Sequence, residues 1–153
     1  MMNNYFIILA SGQSKRFNST EPKQFIKYKN KALFEHSVDK AIKSKLFKKI
    51  IIVTSDKKQI KNKYSKKVLV IKGGKERSDS SLIGLKFIKK YKATNVLIHD
   101  AARPNFTIKL LKRLEIIALS KECSKRALFL YVINCFGVFE LNLLLCPEAS
   151  IIK

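Results

Sequence analysis

Apolar residues fall in short blocks along the chain, and the spacing inside each block separates strands from helices. Tyr5 to Ala10 is an unbroken apolar run rich in β-branched and aromatic residues. Such a run, ended abruptly by Ser11-Gly12, predicts a short strand buried on both faces. From Ala32 to Ser44 the period changes. Leu33, Phe34, Ser37, Val38, Ala41 and Ile42 recur at helical spacing, with Glu35, Asp39, Lys40 and Lys43 elsewhere on the turn, which predicts an amphipathic helix. Lys49 to Thr54 is a second β-branched strand. Ser55 and Asp56 are capping residues and predict a helix over Lys57 to Tyr64. Val68 to Ile71 predicts a third strand, closed by the flexible pair Gly73-Gly74. Glu76 to Tyr91 predicts a helix with Ser80, Ser81, Ile83, Gly84, Phe87 and Ile88 facing inward. Asn95 to Ile98 predicts a fourth strand, and Thr107 caps a helix running through Leu114.

Strands alternating with helices predict an α/β fold, a parallel sheet with helices on both faces. In such sheets ligands bind beyond the carboxyl ends of the strands. Three loops fall there: Ser11 to Lys23, Lys72 to Ser80, and His99 to Pro104. In the first, Ser11, Gly12, Gln13 and Ser14 keep the backbone N–H groups accessible to an anion, and Lys15, Arg16 and Lys23 add charge. It is not a P-loop, which needs Gly-Lys-Ser/Thr. Nor is it the dinucleotide fingerprint, because Ser14 stands where a second glycine belongs. Taken alone it fits a phosphate cradle or a basic surface loop equally well.

Composition alters this picture in three places. The chain has 153 residues and a net charge of +21, which invites a nucleic-acid partner. The positives are mostly lysines spread along the chain, without the aromatic interleaving of a stacking platform, so no specific nucleic acid is expected. Cys123, Cys135 and Cys146 have neither metal-site spacing nor an even count. The Tyr5–Ala10 run is too short for a signal-peptide core and no basic segment precedes it, so the expected compartment is the cytoplasm. Residues 1–114 hold 28 Lys and Arg against 7 Asp and Glu, whereas residues 115–153 hold 4 of each. The composition therefore changes near Leu114.

The three loops together resemble one family. Leu-Ala-Ser-Gly-Gln-Ser-Lys-Arg-Phe from Leu9 with Glu-Pro-Lys-Gln-Phe from Glu21, Gly-Gly-Lys-Glu-Arg-Ser-Asp-Ser from Gly73, and Ile-His-Asp-Ala-Ala-Arg-Pro from Ile98 look like 2-C-methyl-D-erythritol 4-phosphate cytidylyltransferase. The resemblance covers residues 5–114. It implies a Rossmann-like nucleotidyltransferase sheet of the GT-A kind, and transfer of CMP from CTP to methylerythritol phosphate with release of pyrophosphate. It implies Arg16 and Lys23 as catalytic cations, and Ala10, Ser11 and Gly12 as the loop against the nucleotide. Gly73, Gly74, Arg77 and Ser80 match the segment that recognises cytosine. Asp100 matches the magnesium ligand, Ala101 a further nucleotide contact, and Arg103 a residue that binds the second substrate's phosphate. His99 reads as structural. The expected partners are CTP, magnesium and a sugar-alcohol phosphate, in a family of homodimers.

Ser14 and Lys75 depart from the family pattern. Residues 115–153 read as an apolar tail outside the family, so the sheet is expected to stop after its fourth strand and the dimerisation arm to be absent. Ala127 to Cys146 is about long enough to span a bilayer, but Asn134, Glu140 and Asn142 interrupt it, and a mid-span acid is costly. The favoured expectation is an apolar helix or strand packed on the sheet. Three alternatives stay open: a cytidylyltransferase for another polyol phosphate such as ribitol 5-phosphate, a non-catalytic remnant, and a basic nucleic-acid-binding module.

Overall fold

The computed structural model describes residues 3–12, 21–60, 64, 66–120, 127–134 and 137–144. Strand β1 (Asn4–Ala10) is the centre of the sheet. After it come a small hairpin, β2 (Lys27–Tyr28) and β3 (Lys31–Ala32), and helix α1 (Leu33–Ser44). Then follow β4 (Lys49–Thr54), β5 (Val68–Lys72), α2 (Arg77–Lys89) and β6 (Asn95–Asp100). Helix α3 (Ile108–Ser120) runs through the composition change at Leu114, ahead of β7 (Ala127–Asn134) and β8 (Gly137–Leu144). The sheet order is β5-β4-β1-β6-β7-β8, parallel throughout except for β8.

Both faces of β1 are buried, which is why its sequence shows no polar alternation. Phe6, Ile8 and Ala10 pack on one face with Phe34, Val38 and Ala41 of α1 and Leu111 and Leu114 of α3. Tyr5, Ile7 and Leu9 pack on the other with Ile88 of α2. Gly84 lets α2 come close to the sheet, since a Cβ there would lie 3.1 Å from the Ile7 side chain.

Two expectations are corrected. Where a helix over Lys57 to Tyr64 is expected, the described residues form a 3-10 turn, Lys57–Gln59, capped by Asp56, whose carboxylate accepts from Lys58 N at 2.9 Å, while residues 61–63 lie outside the described residues. None of the three turn residues is buried, so the turn itself has no apolar face to hold it against the core as a longer helix. The sheet also continues past its fourth parallel strand: β7 pairs parallel with β6, and β8 folds back antiparallel on β7. The apolar stretch from Ala127 is thus two strands, divided between Asn134 and Gly137. Among the described residues no helix is long and apolar enough to cross a membrane.

Candidate functional site

The strand registers bring the three loops to one end of the sheet. Ala10 lies opposite Thr54, Thr54 opposite Lys72, and Leu9 opposite Asp100. One further ladder bond extends each flank: Gly73 N donates to Thr54 O at 2.7 Å, and Ala101 N to Leu9 O at 2.9 Å. Ser11, Gly73 and Ala101 therefore stand one step beyond the carboxyl ends of β1, β5 and β6.

The first and second loops touch through two serines. Ser11 is buried, and its hydroxyl donates to Val53 O at 3.1 Å. Ser80, also buried, accepts from Gly74 N at 3.2 Å. A Cβ on Gly73 would fall 2.1 Å from Ser11 Oγ and 2.9 Å from Ser80 Oγ. Only glycine fits between them, so Ser11, Gly73, Gly74 and Ser80 form one packed unit. Among the described residues nothing lies within 4 Å of a Cβ built on Gly12.

Arg77, the first residue of α2, reaches across to the end of β6. Its Nε donates to Asp100 Oδ1 at 2.8 Å, while Arg103 Nε lies 3.7 Å from Oδ2. A turn bond from Arg103 N to Asp100 O at 3.0 Å holds that loop. The side chains of Arg77 and Arg103 are 55% and 45% exposed, so these pairs add little to stability. Two guanidinium groups around one carboxylate leave a net positive charge facing solvent, suited to an anion.

Lys23 opens a 3-10 turn, Lys23–Phe25, set by Pro22, whose carbonyl accepts from Phe25 N at 2.9 Å. Phe25 anchors the turn edge-on against Phe34, with ring centroids 5.7 Å apart. The next-door Gln24 ties the turn to the first loop, its Nε2 donating to Ala10 O at 3.0 Å and Gly12 O at 2.7 Å. Arg16, the other expected catalytic cation, lies outside the described residues, as does Lys15.

His99 takes the structural place expected of it. It is buried, its Nε2 lies 3.1 Å from Ser37 Oγ, and its ring stacks on Phe6 and meets Phe106 edge-on. Sequence reasoning missed two residues. Gln24 is one. Lys40 is the other: its ammonium donates to Pro104 O and lies 5.2 Å from the Phe106 ring centroid, fastening α1 to the loop after β6. Burial pushes the Lys40 pKa down. Nothing in the sequence marked either one: both bond main-chain carbonyls.

Comparison with known proteins identifies the family. The family profile described as "IspD: 2-C-methyl-D-erythritol 4-phosphate cytidylyltransferase" matches residues 5–134, past the Leu114 limit read from the motifs and through β7. The "Bifunctional enzyme IspD/IspF" of Pelagibacter ubique is 50% identical over 115 residues, covering 74% of this chain and 31% of that protein. The 2-C-methyl-D-erythritol 4-phosphate cytidylyltransferase of Clostridium botulinum is 40% identical over 119 residues, covering 73% of this chain and 52% of the enzyme. The chain thus spans about half the length of such single-function relatives. The solved structure of the bifunctional IspDF from Campylobacter jejuni superposes with a TM-score of 0.67 at 26% identity, covering 92% of this chain and 39% of that one. With the profile matching most of its length and the three loops assembled at one sheet end, this chain belongs to the 2-C-methyl-D-erythritol 4-phosphate cytidylyltransferase family.

Proposed function

We propose that this chain carries the nucleotide site of a cytidylyltransferase that transfers CMP from CTP to 2-C-methyl-D-erythritol 4-phosphate and releases pyrophosphate. One observation supports the reading most. The serine-glycine unit of Ser11, Gly73 and Ser80 and the Arg77–Asp100–Arg103 group share one end of the sheet, joined through the first turn of α2. The first is an uncharged, rigid surface of the kind that reads a base edge. The second is a charged surface of the kind that holds phosphate.

The roles of the individual residues are those that the family resemblance implies. Ala10, Ser11 and Gly12 lie against the nucleotide. Gly73, Gly74 and Ser80, with Arg77, face the cytosine. Arg16 and Lys23 bear on the triphosphate, Ala101 borders it, and Arg103 takes the phosphate of the second substrate. That substrate's phosphate oxygen attacks the α-phosphorus of CTP. A new P–O bond forms as the bond from the α-phosphorus to the bridging oxygen breaks, and the electron pair leaves on pyrophosphate. Little covalent work falls to the protein. Its contribution is positioning and the offsetting of charge that builds on the phosphate oxygens.

Among the described residues no group of three His, Cys, Asp or Glu side chains could cage a metal. Asp100 nevertheless fits magnesium, which commonly takes one or two carboxylates and completes its shell with phosphate oxygens and water. Held at Asp100, the ion would offset charge on the triphosphate. Asp100 would then share its oxygens between the metal and the two arginines.

Calorimetric titration with CTP, UTP, ATP and GTP in magnesium tests the reading. CTP is expected to bind most tightly. Equal affinity for all four, collapsing together as salt rises, would assign the binding to bulk positive charge instead. Pyrophosphate release with methylerythritol phosphate against ribitol 5-phosphate then decides the second substrate.

A further inference from the structure

We propose that Gln24 is a positioning residue for nucleotide binding. Its amide holds the carbonyls of Ala10 and Gly12 and so fixes the backbone surface that the nucleotide meets. The residue is 3% exposed, and its Nε2 spends both protons on the backbone, to Ala10 O at 3.0 Å and Gly12 O at 2.7 Å. Both partners are acceptors, so the amide orientation is dictated by chemistry: the nitrogen, not the oxygen, faces them. A trans peptide turns its N–H opposite to its C=O. Fixing the Ala10 carbonyl toward Gln24 therefore fixes the Ser11 N–H on the opposite side. Ser11 in turn packs on Gly73 and hydrogen-bonds Val53, so one glutamine sets a backbone that reaches the second loop.

The same residue places a cation. Gln24 sits inside the Lys23–Phe25 turn, with Phe25 anchored on Phe34. The Lys23 backbone is thereby tied to the end of β1 rather than left on a free loop. A burial-driven account of Gln24 is weak, because a buried amide costs free energy unless its bonds are made. An apolar residue would fill the volume without that cost. What the amide adds is a two-point bond to the Ala10–Gly12 backbone where β1 ends.

The proposal rests on the nucleotide reading of this site, so its test separates the two. Three variants, Gln24→Leu, Gln24→Glu and Gln24→Asn, are compared with the parent chain. The readouts are urea stability, the backbone amide resonances of Ser11 and Gly12, and calorimetric affinity for CTP and UTP. Gln24→Leu and Gln24→Glu are expected to shift both resonances and weaken CTP by about tenfold or more, the scale of one lost oriented contact. The CTP to UTP preference is expected to stay at the parental ratio, since the base is read at Gly73 to Ser80. Gln24→Asn can keep only part of the bond and covers the case in which the leucine variant does not fold; an intermediate loss is expected of it. Affinity within about twofold of the parent in folded variants, or unmoved resonances, overturns the proposal. A parent chain that binds no CTP overturns the nucleotide reading itself, and the resonance shifts then still decide whether Gln24 sets the loop.

Discussion

Replacing Gly73 by alanine tests whether the first and second loops are a single packed unit. The added Cβ would sit 2.1 Å from Ser11 Oγ, 3.0 Å from Ser11 Cβ and 2.9 Å from Ser80 Oγ. Rotating the Ser11 hydroxyl relieves the first contact and leaves the second, so the backbone must also move. The rotation breaks the bond to Val53 O. Overpacking of this kind costs about 1–3 kcal/mol, and a buried hydroxyl left without its partner adds about 1 kcal/mol or more. The expected loss is about 2–4 kcal/mol in urea unfolding. Ser11→Gly removes both Ser11 atoms from the contact, so the double variant should recover part of that loss, with a coupling of about 1 kcal/mol or more. Recovery stays partial because Ser80 Oγ is still in place. A Gly73→Ala variant within about 0.5 kcal/mol of the parent refutes the packing argument. So does a cycle with no coupling between the two positions.

Burial raises the pKa of Tyr5 and of Tyr64 above the ordinary 10.0, with Glu35 and Asp39 adding to the effect at Tyr64. The folded state then holds these protons more tightly than the unfolded one, so their stabilisation is complete below pH 10.0 and is lost as pH rises beyond it. Urea midpoints should fall through that range as absorbance of ionised tyrosine grows, and a flat profile would count against the burial of Tyr5 and the half-buried placement of Tyr64. Lys40→Met keeps the stem on Phe106 but removes the donor to Pro104 O. A loss of about 1 kcal/mol and faster amide exchange at Ala102 and Arg103 are expected; unchanged exchange would show that Lys40 does not restrain that loop. Raising salt from about 0.1 to 1 M shortens the screening length from about 10 to 3 Å. CTP affinity should fall while the CTP to UTP ratio holds, and a ratio that decays with affinity would remove the uncharged base-reading role of Gly73, Gly74 and Ser80.

The central strands were legible because β1 and β4 are buried on both faces and are written as unbroken apolar runs. The three loops were legible as loops beyond the carboxyl ends of parallel strands, because strands alternate with helices; their expected chemistry came from the family motifs they carry, not from small residues and charge alone. The rest failed for identifiable reasons. The β2–β3 hairpin turns through Lys29 and Asn30 at φ 48° and 61°, values that usually call for glycine, and no glycine marked the turn. Strands β7 and β8 were hidden because Ala127 to Cys146 has one composition, and composition does not show where a run folds back on itself. The 3-10 turn after β4 was overread because capping residues announce that a helix starts, not that anything holds it. Gln24 and Lys40 were missed for a common reason. Their partners are main-chain carbonyls, which carry no residue-type signature in the sequence.

The choice of cation at the site separates it from the charge of the chain as a whole. Lysine and arginine total 32, yet only five are arginine. Three of these, Arg16, Arg77 and Arg103, fall in the three loops. Lysine is a mobile point charge suited to a solvated face, whereas the planar guanidinium offers fixed forks of donors that match carboxylate and phosphate. Arg77 and Arg103 show that use directly, aimed at the two oxygens of Asp100. A chain whose function was to attract polyanions would gain as much from lysine at these positions. Arginine placed there, around a half-buried carboxylate and next to an uncharged serine-glycine surface, argues for a site that orients one anion rather than one that collects many.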